Sequence, residues 1–435
     1  MVFSGFLRRL GLTASSLGIS LTLLLQACGG GNTESPAPQP AVAPLIQVFN
    51  IGAVTGLINQ GQHLISVYVP VSQDITALVP TIVVPEGVTV SPLSGVSQDF
   101  THPVTYTATG ADGATQAYVV TVSKASAPLS AADLNAKLGI GINLGNTLDA
   151  TPNEGSWAAP AQEAYFDAYK AAGFSSVRIP ITWNAHFGTT APYTIDPAFL
   201  ARVSTVANWG TSRGLAVVIN AHHEAWLKAD YTNQIGRFEA LWSQISTAFK
   251  DWPSSLAFEI LNEPQDKMTD ANVNDLNARI LAIIRRTNPT RVVIIGANSY
   301  NSMGSLMNAD FTVPNDPYLI ATFHYYNPWS FCGQSSGTWG SAANIATVAS
   351  DFAALKSWGA RHSIPLYMGE YGVTLQYQGV STDSAGRLLW YQTVCQQAHT
   401  NSIASAAWDD SGDFGIFHRA QGTWEAPILN AILLK

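Results

Sequence analysis

The sequence predicts an α/β fold: a (β/α)8 TIM barrel preceded by a small all-β, immunoglobulin-like sandwich domain. Three observations lead there. From Ala131 onward, apolar strand-like runs alternate with amphipathic stretches eight times. Between Leu45 and Val122, short alternating strands are broken by turns and carry no helical period. Two of the later strands, Leu256 to Glu263 and Pro365 to Glu370, each end on a glutamate, as side chains at the catalytic rim of a barrel do.

Composition agrees with a packed protein. Of 435 residues, 47% are hydrophobic and only 11% charged, which excludes a disordered chain. The net charge of -8 and the lack of basic runs beyond Arg8-Arg9 and Arg285-Arg286 argue against a nucleic-acid partner. All twelve tryptophans lie between Trp157 and Trp424. Number alone puts most of them in a core, although such rings also stack on the apolar faces of sugars.

Residues 1–27 read as an export signal: Arg8 and Arg9, then an apolar run from Leu10 to Leu25 that is too short for a stable span. Leu25-Gln26-Ala27-Cys28 resembles a bacterial lipoprotein signal, which implies cleavage before Cys28 and lipid on its thiol. The expected location is then the outer membrane or cell surface, held by lipid alone, or a secreted or periplasmic one if the cysteine is incidental. Residues 28–44, rich in glycine and proline, form a tether. Residues 45–124 form the sandwich, with strands at Ile65–Val69, Val104–Thr109 and Tyr118–Val122. It holds no tryptophan, so a spacer role is expected in preference to sugar binding.

The barrel occupies residues 131–435. Its strands are read at Gly139–Gly145, Ser176–Thr182, Leu215–Ala221, Ala257–Asn262, Arg291–Ala297, Leu319–Tyr325, Pro365–Glu370 and Ala404–Trp408. Helical stretches fall between them at Ala161–Ala172, Pro197–Arg213, Ile235–Lys250, Ala271–Arg286, Ala342–Ser357 and Asp383–Ala398. A doubly wound open sheet is the competing fold. It needs a glycine-rich phosphate turn after the first strand, and the glycines of Gly139-Ile140-Gly141 sit within that strand. On this architecture Cys332 and Cys395 lie toward opposite ends of the barrel, so two separate half-buried thiols are expected.

Polar residues gather where these strands end: Asn146, Arg178, His222-His223, Asn262-Glu263, His324 with Tyr326, Glu370 and Trp408. Two carboxylates on separate strand ends suit cleavage of a glycosidic bond, in which one acid protonates the leaving oxygen and the other carboxylate attacks or stabilises the sugar cation. From Lys137 to the end the chain resembles glycoside hydrolase family 5, of the endoglucanase type. The matching pieces are Asn143 to Asp149, Val177-Arg178-Ile179-Pro180, Asn220 to Glu224, Leu261-Asn262-Glu263-Pro264, His324-Tyr325-Tyr326 and Met368-Gly369-Glu370. The β-sandwich resembles, more diffusely, the immunoglobulin-like modules ahead of bacterial surface enzymes.

The resemblance implies a retaining endo-β-1,4-glucanase with Glu263 as acid/base and Glu370 as nucleophile. It further implies that Arg178 and Tyr326 hold Glu370 ionised, and that Asn262 bonds the sugar 2-hydroxyl. His222 and His324 would brace the network, Trp408 would underlie the reacting sugar, and His223 is the weaker match. The same machinery on mannan, xyloglucan or mixed-linkage glucan, or a non-catalytic glycan-binding protein, are the alternatives. No cofactor, no metal and a monomer are expected. His222-His223 could be a metal pair, but neighbours on a strand point apart and no third ligand is spaced nearby in sequence. Trp183, Trp226, Trp329 and Trp339 are candidates for outer sugar subsites. Asp409-Asp410 either binds sugar or caps its loop.

Overall fold

The computed structural model describes residues 43–124 and 127–435. The signal, most of the tether and the lipidation candidate Cys28 lie outside the described residues. Among the described residues no helix is long and apolar enough to cross a membrane.

Eight parallel strands close into a barrel. They are β1 (Ile140–Asn143), β2 (Ser176–Ile179), β3 (Ala216–Asn220), β4 (Leu256–Glu259), β5 (Val293–Gly296), β6 (Leu319–Tyr325), β7 (Leu366–Tyr371) and β8 (Ala404–Ala407). Every expected strand is present, and six of the eight stop one to three residues earlier at the carboxyl end. There the chain leaves the ladder to present side chains to the rim. Nearly every strand residue is buried, because the barrel fills one face and helices cover the other.

Two registers slip. One lies between Phe323 and His324 on the β6–β7 ladder, the other between Met368 and Tyr371 on the β7–β8 ladder. An extra residue in one strand turns the following side chains. Here the slip sets His324 directly opposite Glu370.

The floor is closed by the helix Ala131–Leu138, capped by the Ser130 hydroxyl, which accepts from the Asp133 N–H. Its Ala131, Leu134 and Leu138 pack onto Ala216, Val218, Ala257, Ile294, Ile320, Ala404 and Ala406. Small residues at the strand beginnings make room for this plug. The polar groups are thereby confined to the other end.

The N-terminal module is two packed sheets, one of three strands and one of five, around Phe49, Val67, Tyr106, Tyr118 and Val120. The three strands expected from alternation are there. The module also touches the barrel directly. Tyr68 inserts its ring against Trp252 at 5.1 Å between centroids, and its hydroxyl meets Asn208 and Thr211 on the helix Pro197–Ser212. The Asn208 carboxamide donates to the Ser66 hydroxyl at 3.2 Å, and Asn59 donates to the Glu163 carboxylate at 3.2 Å. Residues of the five-stranded sheet thus make an interface with both apolar and polar contacts.

Tyr68→Ala removes the ring from that interface and leaves polar partners unpaired. It is expected to lower stability by about 2–4 kcal/mol, read as a fall in the thermal unfolding midpoint. An unchanged midpoint would show that the module only rests on the barrel.

Candidate active site

At the centre of the rim stands Arg178, fully buried on β2. Its Nε and Nη2 donate to the two carboxylate oxygens of Glu259 on β4, at 2.6 and 2.8 Å. Its Nη1 donates to Glu370 on β7 at 2.7 Å and to Asn143 on β1 at 2.9 Å. Nη2 also reaches the Asn262 carbonyl oxygen at 2.7 Å. Three other strands, β1, β4 and β7, are thus tied to one guanidinium on β2. Asn143 extends the tie by donating to the carbonyls of Gly369 and Ala406. The neighbouring carboxylates outweigh burial and keep Arg178 firmly charged.

Glu370 takes a second hydrogen bond from the Tyr326 hydroxyl, at 3.1 Å to Oε2. Burial pushes its carboxyl above the ordinary value, and the charges of His324 and Arg178 restrain that rise. With a guanidinium donor at 2.7 Å, the ionised form has direct partners.

Glu263 follows β4 on a backbone with φ of 45°. Its Oε1 lies 2.8 Å from His324 Nδ1, which is 3.5 Å from the nearer Glu370 oxygen. Burial would raise the Glu263 carboxyl, but the hydrogen bond and charge of His324 more than offset it and draw it down. His324 is correspondingly raised despite burial, chiefly by the charge of Glu370 and the bond to Glu263. One proton is therefore held across the Oε1–Nδ1 contact, and its titration belongs to the pair. Ligand atoms of Glu263, His324 and Glu370 all lie within 4.8 Å of one another. That spacing suits direct attack by one carboxylate, where an intervening water needs 6.5–9.5 Å.

Asn262 is buried with its carbonyl oxygen held by Arg178, which leaves its amide hydrogens as donors. Asn220 accepts from the Ile181 N–H through Oδ1, so its nitrogen donates to His222 Nδ1. His222 is then the Nε2–H tautomer. Burial first, then His223 and Arg178, press its pKa well down and keep it neutral. Its ring is parallel to that of Trp408, at 5.9 Å between centroids and 7° between planes. Trp408 is half-buried and packs over Gly145, where a Cβ would stand 2.9 Å from the indole.

His223 does not point away from His222 as strand neighbours would. Both residues follow β3 in an irregular segment, their rings are 4.4 Å apart, and buried Asp149 joins them. The argument that no third ligand stands nearby is therefore corrected. Asp149 is, however, already engaged by the N–H groups of Asn146 and Thr147, and His222 Nδ1 by Asn220.

The tryptophans divide. Trp183 is fully buried and donates to the Asn220 carbonyl, and Trp339 is buried in the barrel core. Neither meets the solvent as an outer subsite must. Trp226 is sandwiched structurally: Arg237 lies 4.1 Å over its ring and its Nε1 donates to Glu224. Of the four, Trp329 is 53% exposed and edge-on to Tyr326, as an outer subsite requires; Trp157, which the sequence reading did not single out, is 46% exposed and 5.5 Å from His223. Asp409 and Asp410 cap their loop. Asp409 accepts from the N–H groups of Ile416 and Phe417 and pairs with Arg419, and Asp410 accepts from Gly412 and Phe414. Cys332 and Cys395 are both free and fully buried, not half-buried; burial pushes the Cys395 thiol up to about 12.

Glu259 also escaped the sequence reading. The signal was there: a lone arginine inside an apolar strand requires a buried counter-charge, and Glu259 is the acidic residue inside β4. Arg178→Met takes the guanidinium away from buried Glu259 and Glu370, and should cost about 3–5 kcal/mol at neutral pH. Glu370, already raised by burial, loses the restraint of Arg178 and rises further above its unfolded value. The folded variant gains relative stability as pH falls through that raised value. Its deficit against wild type, measured by denaturant titration, should therefore shrink from pH 7 toward about pH 5. A deficit that widened on acidification would refute this account.

Comparison with known proteins agrees with the geometry. Residues 142–413 match the model for "Cellulase (glycosyl hydrolase family 5)", and residues 46–122 match that for "SGBP, N-terminal". Endoglucanase H of Acetivibrio thermocellus is 46% identical over 302 residues, covering 68% of this chain and 33% of its own length. The chain thus spans a third of that relative. The structure of endoglucanase Cel5A from Thermotoga maritima superposes with a TM-score of 0.67 at 35% identity, over 70% of this chain and all of that one. The same protein in complex with mannotriose gives 0.66 at 34% identity, over 69% of this chain and 99% of that one. With the closed barrel, the paired carboxylates and a family model spanning most of its length, the chain belongs to glycosyl hydrolase family 5.

Proposed function

We propose that the chain is a retaining endo-β-1,4-glucanase. The observation that carries this is the pairing of Glu263 and Glu370 within 4.8 Å across His324, with Arg178 bonded to only one of them. Glu370, the member with cationic and phenolic donors, is the nucleophile. Its oxygen bonds to the anomeric carbon as the bond to the leaving oxygen breaks. That oxygen takes its proton from the Glu263–His324 pair. In the second step Glu263, now deprotonated, removes a proton from water, which attacks the same carbon and frees Glu370. Asn262 donates to the 2-hydroxyl, and Trp408 with neutral His222 forms the apolar floor beneath the ring. The endoglucanase names of the relatives, one of them an endo-β-1,4-glucanase, support a β-1,4-glucan substrate.

Mannan is the second reading, supported by the mannotriose complex of the 34% identical relative. Hydrolysis of a panel of soluble glucans and mannans, with product sizes recorded, decides between them. Fast release of mixed oligosaccharides from β-1,4-glucan is expected, and exclusive attack on mannan would overturn the first reading.

We propose also that Cys28 carries a lipid that holds a monomeric enzyme at the membrane of the exporting cell. The support is the Leu25-Gln26-Ala27-Cys28 motif and the tether after it. Cys28→Ala should release the protein into the soluble fraction.

Glu263→Gln and Glu370→Gln should each lower kcat by about 10^3-fold or more with unfolding midpoints kept close to wild type. Azide should restore turnover to Glu370→Gly and yield a glycosyl azide of inverted configuration. Rescue with inversion at position 263 in its place would exchange the two roles.

A further inference from the structure

Glu263 occupies a backbone conformation that residues with a Cβ rarely adopt, φ of 45°. What holds it there is the segment that follows β5. Ser299, Tyr300 and Asn301 have φ values of 53°, 62° and 53°, one after another. None is glycine, and a Cβ makes a run of three left-handed residues unfavourable. Such strain persists only where the surroundings over-determine it.

The surroundings are the acid side of the site. The Tyr300 N–H donates to the carbonyl of Pro264, the residue after Glu263, at 3.1 Å. The Asn301 side chain is fully buried. In the amide orientation that satisfies both its ends, its nitrogen donates to the Ala297 carbonyl at 2.9 Å, and its oxygen accepts from the Glu263 N–H at 3.2 Å. Ser302, next along, pairs with His324, the residue that shares the Glu263 proton. Room for the carboxamide comes from Gly296, where the three atoms nearest an added Cβ all belong to the Asn301 side chain. The left-handed turn thus grips Glu263 at its own N–H, at the following carbonyl, and through its proton partner.

We propose that the turn 299–301 is the positioning element for proton transfer, and that Asn301 is a positioning residue acting through Glu263. The inference rests on the reading of Glu263 as acid/base. Asn301 fixes the peptide from which the Glu263 side chain departs, and so aims its carboxyl between His324 and the leaving oxygen. Among the described residues no hydrogen bond joins the turn to Glu370, which is held by Arg178 and Tyr326.

The test uses leaving groups. An unactivated sugar needs the acid to depart, whereas dinitrophenolate departs without a proton. Four proteins are compared by kcat/KM, which reports the first chemical step: wild type, Asn301→Gly, Gly296→Ala and Glu263→Ala. Glycine keeps the left-handed turn and deletes only the carboxamide. Gly296→Ala leaves Asn301 in place but pushes it off Glu263, and carries the test if Asn301→Gly does not fold. Both should lose roughly 10- to 100-fold on cellotetraose while staying within about threefold of wild type on 2,4-dinitrophenyl β-cellobioside. Equal losses on the two substrates, as a general structural defect gives, would overturn the proposal, and so would no loss on cellotetraose. Glu263→Ala separates the two levels of inference. A wide split there with none in the turn variants sinks the turn alone. No split there shows that Glu263 is not the acid, and the proposal falls with that reading.

Discussion

A guanidinium with no access to water has five N–H groups to satisfy, and the barrel rim is arranged so that they are. Arg178 meets Glu259, Glu370, Asn143 and Asn262, which come from β1, β4 and its end, and β7. Two carboxylates against one cation would leave surplus charge in a poorly hydrated place if nothing else intervened. The Tyr326 hydroxyl and His324 supply the remainder. Removing water from ion pairs is expensive, so this arrangement is weak evidence for stability and better evidence for geometry. A lysine could balance charge here, but only a planar fork can bond Glu259 in two places and still reach Glu370.

The two glutamates differ by their donors. Glu370 faces a permanent cation and a phenol, and Glu263 faces only an imidazole that can return a proton. On the mechanism proposed above, a covalent intermediate cancels the charge on Glu370, and the proton held at the Glu263–His324 pair is then easier to lose. A single site can then serve as acid in one step and base in the next.

Much of this was legible before the fold was known. Strand positions followed from runs of apolar residues flanked by amphipathic helices, because a barrel buries both faces of each strand. Glu263, Glu370, Asn262 and Arg178 stood out as polar residues ending or interrupting such runs. What escaped notice depended on closure of the ring. Glu259 acquires meaning only when β2 and β4 come within reach of each other across β3. Asp149 approaches His223 only because the chain after β1 folds back over the rim. Trp183 resembled Trp329 in its position after a strand, yet its indole nitrogen finds the Asn220 carbonyl and the ring is drawn inside. Asn301 belongs to a turn whose handedness no propensity would assign to Ser-Tyr-Asn, since the residues that enforce it are remote in sequence.

The seam between module and barrel bears on how such proteins diversify. Two units that merely share a chain can be exchanged by recombination, each folding without regard to its neighbour. Here Trp252 and Asn208 of the barrel have Tyr68 as partner, and a swapped-in module lacking that tyrosine would leave an aromatic face and a carboxamide bare to solvent. Grafting this catalytic unit onto a different leader therefore calls for compensating changes on the outer surface of the helix Pro197–Ser212.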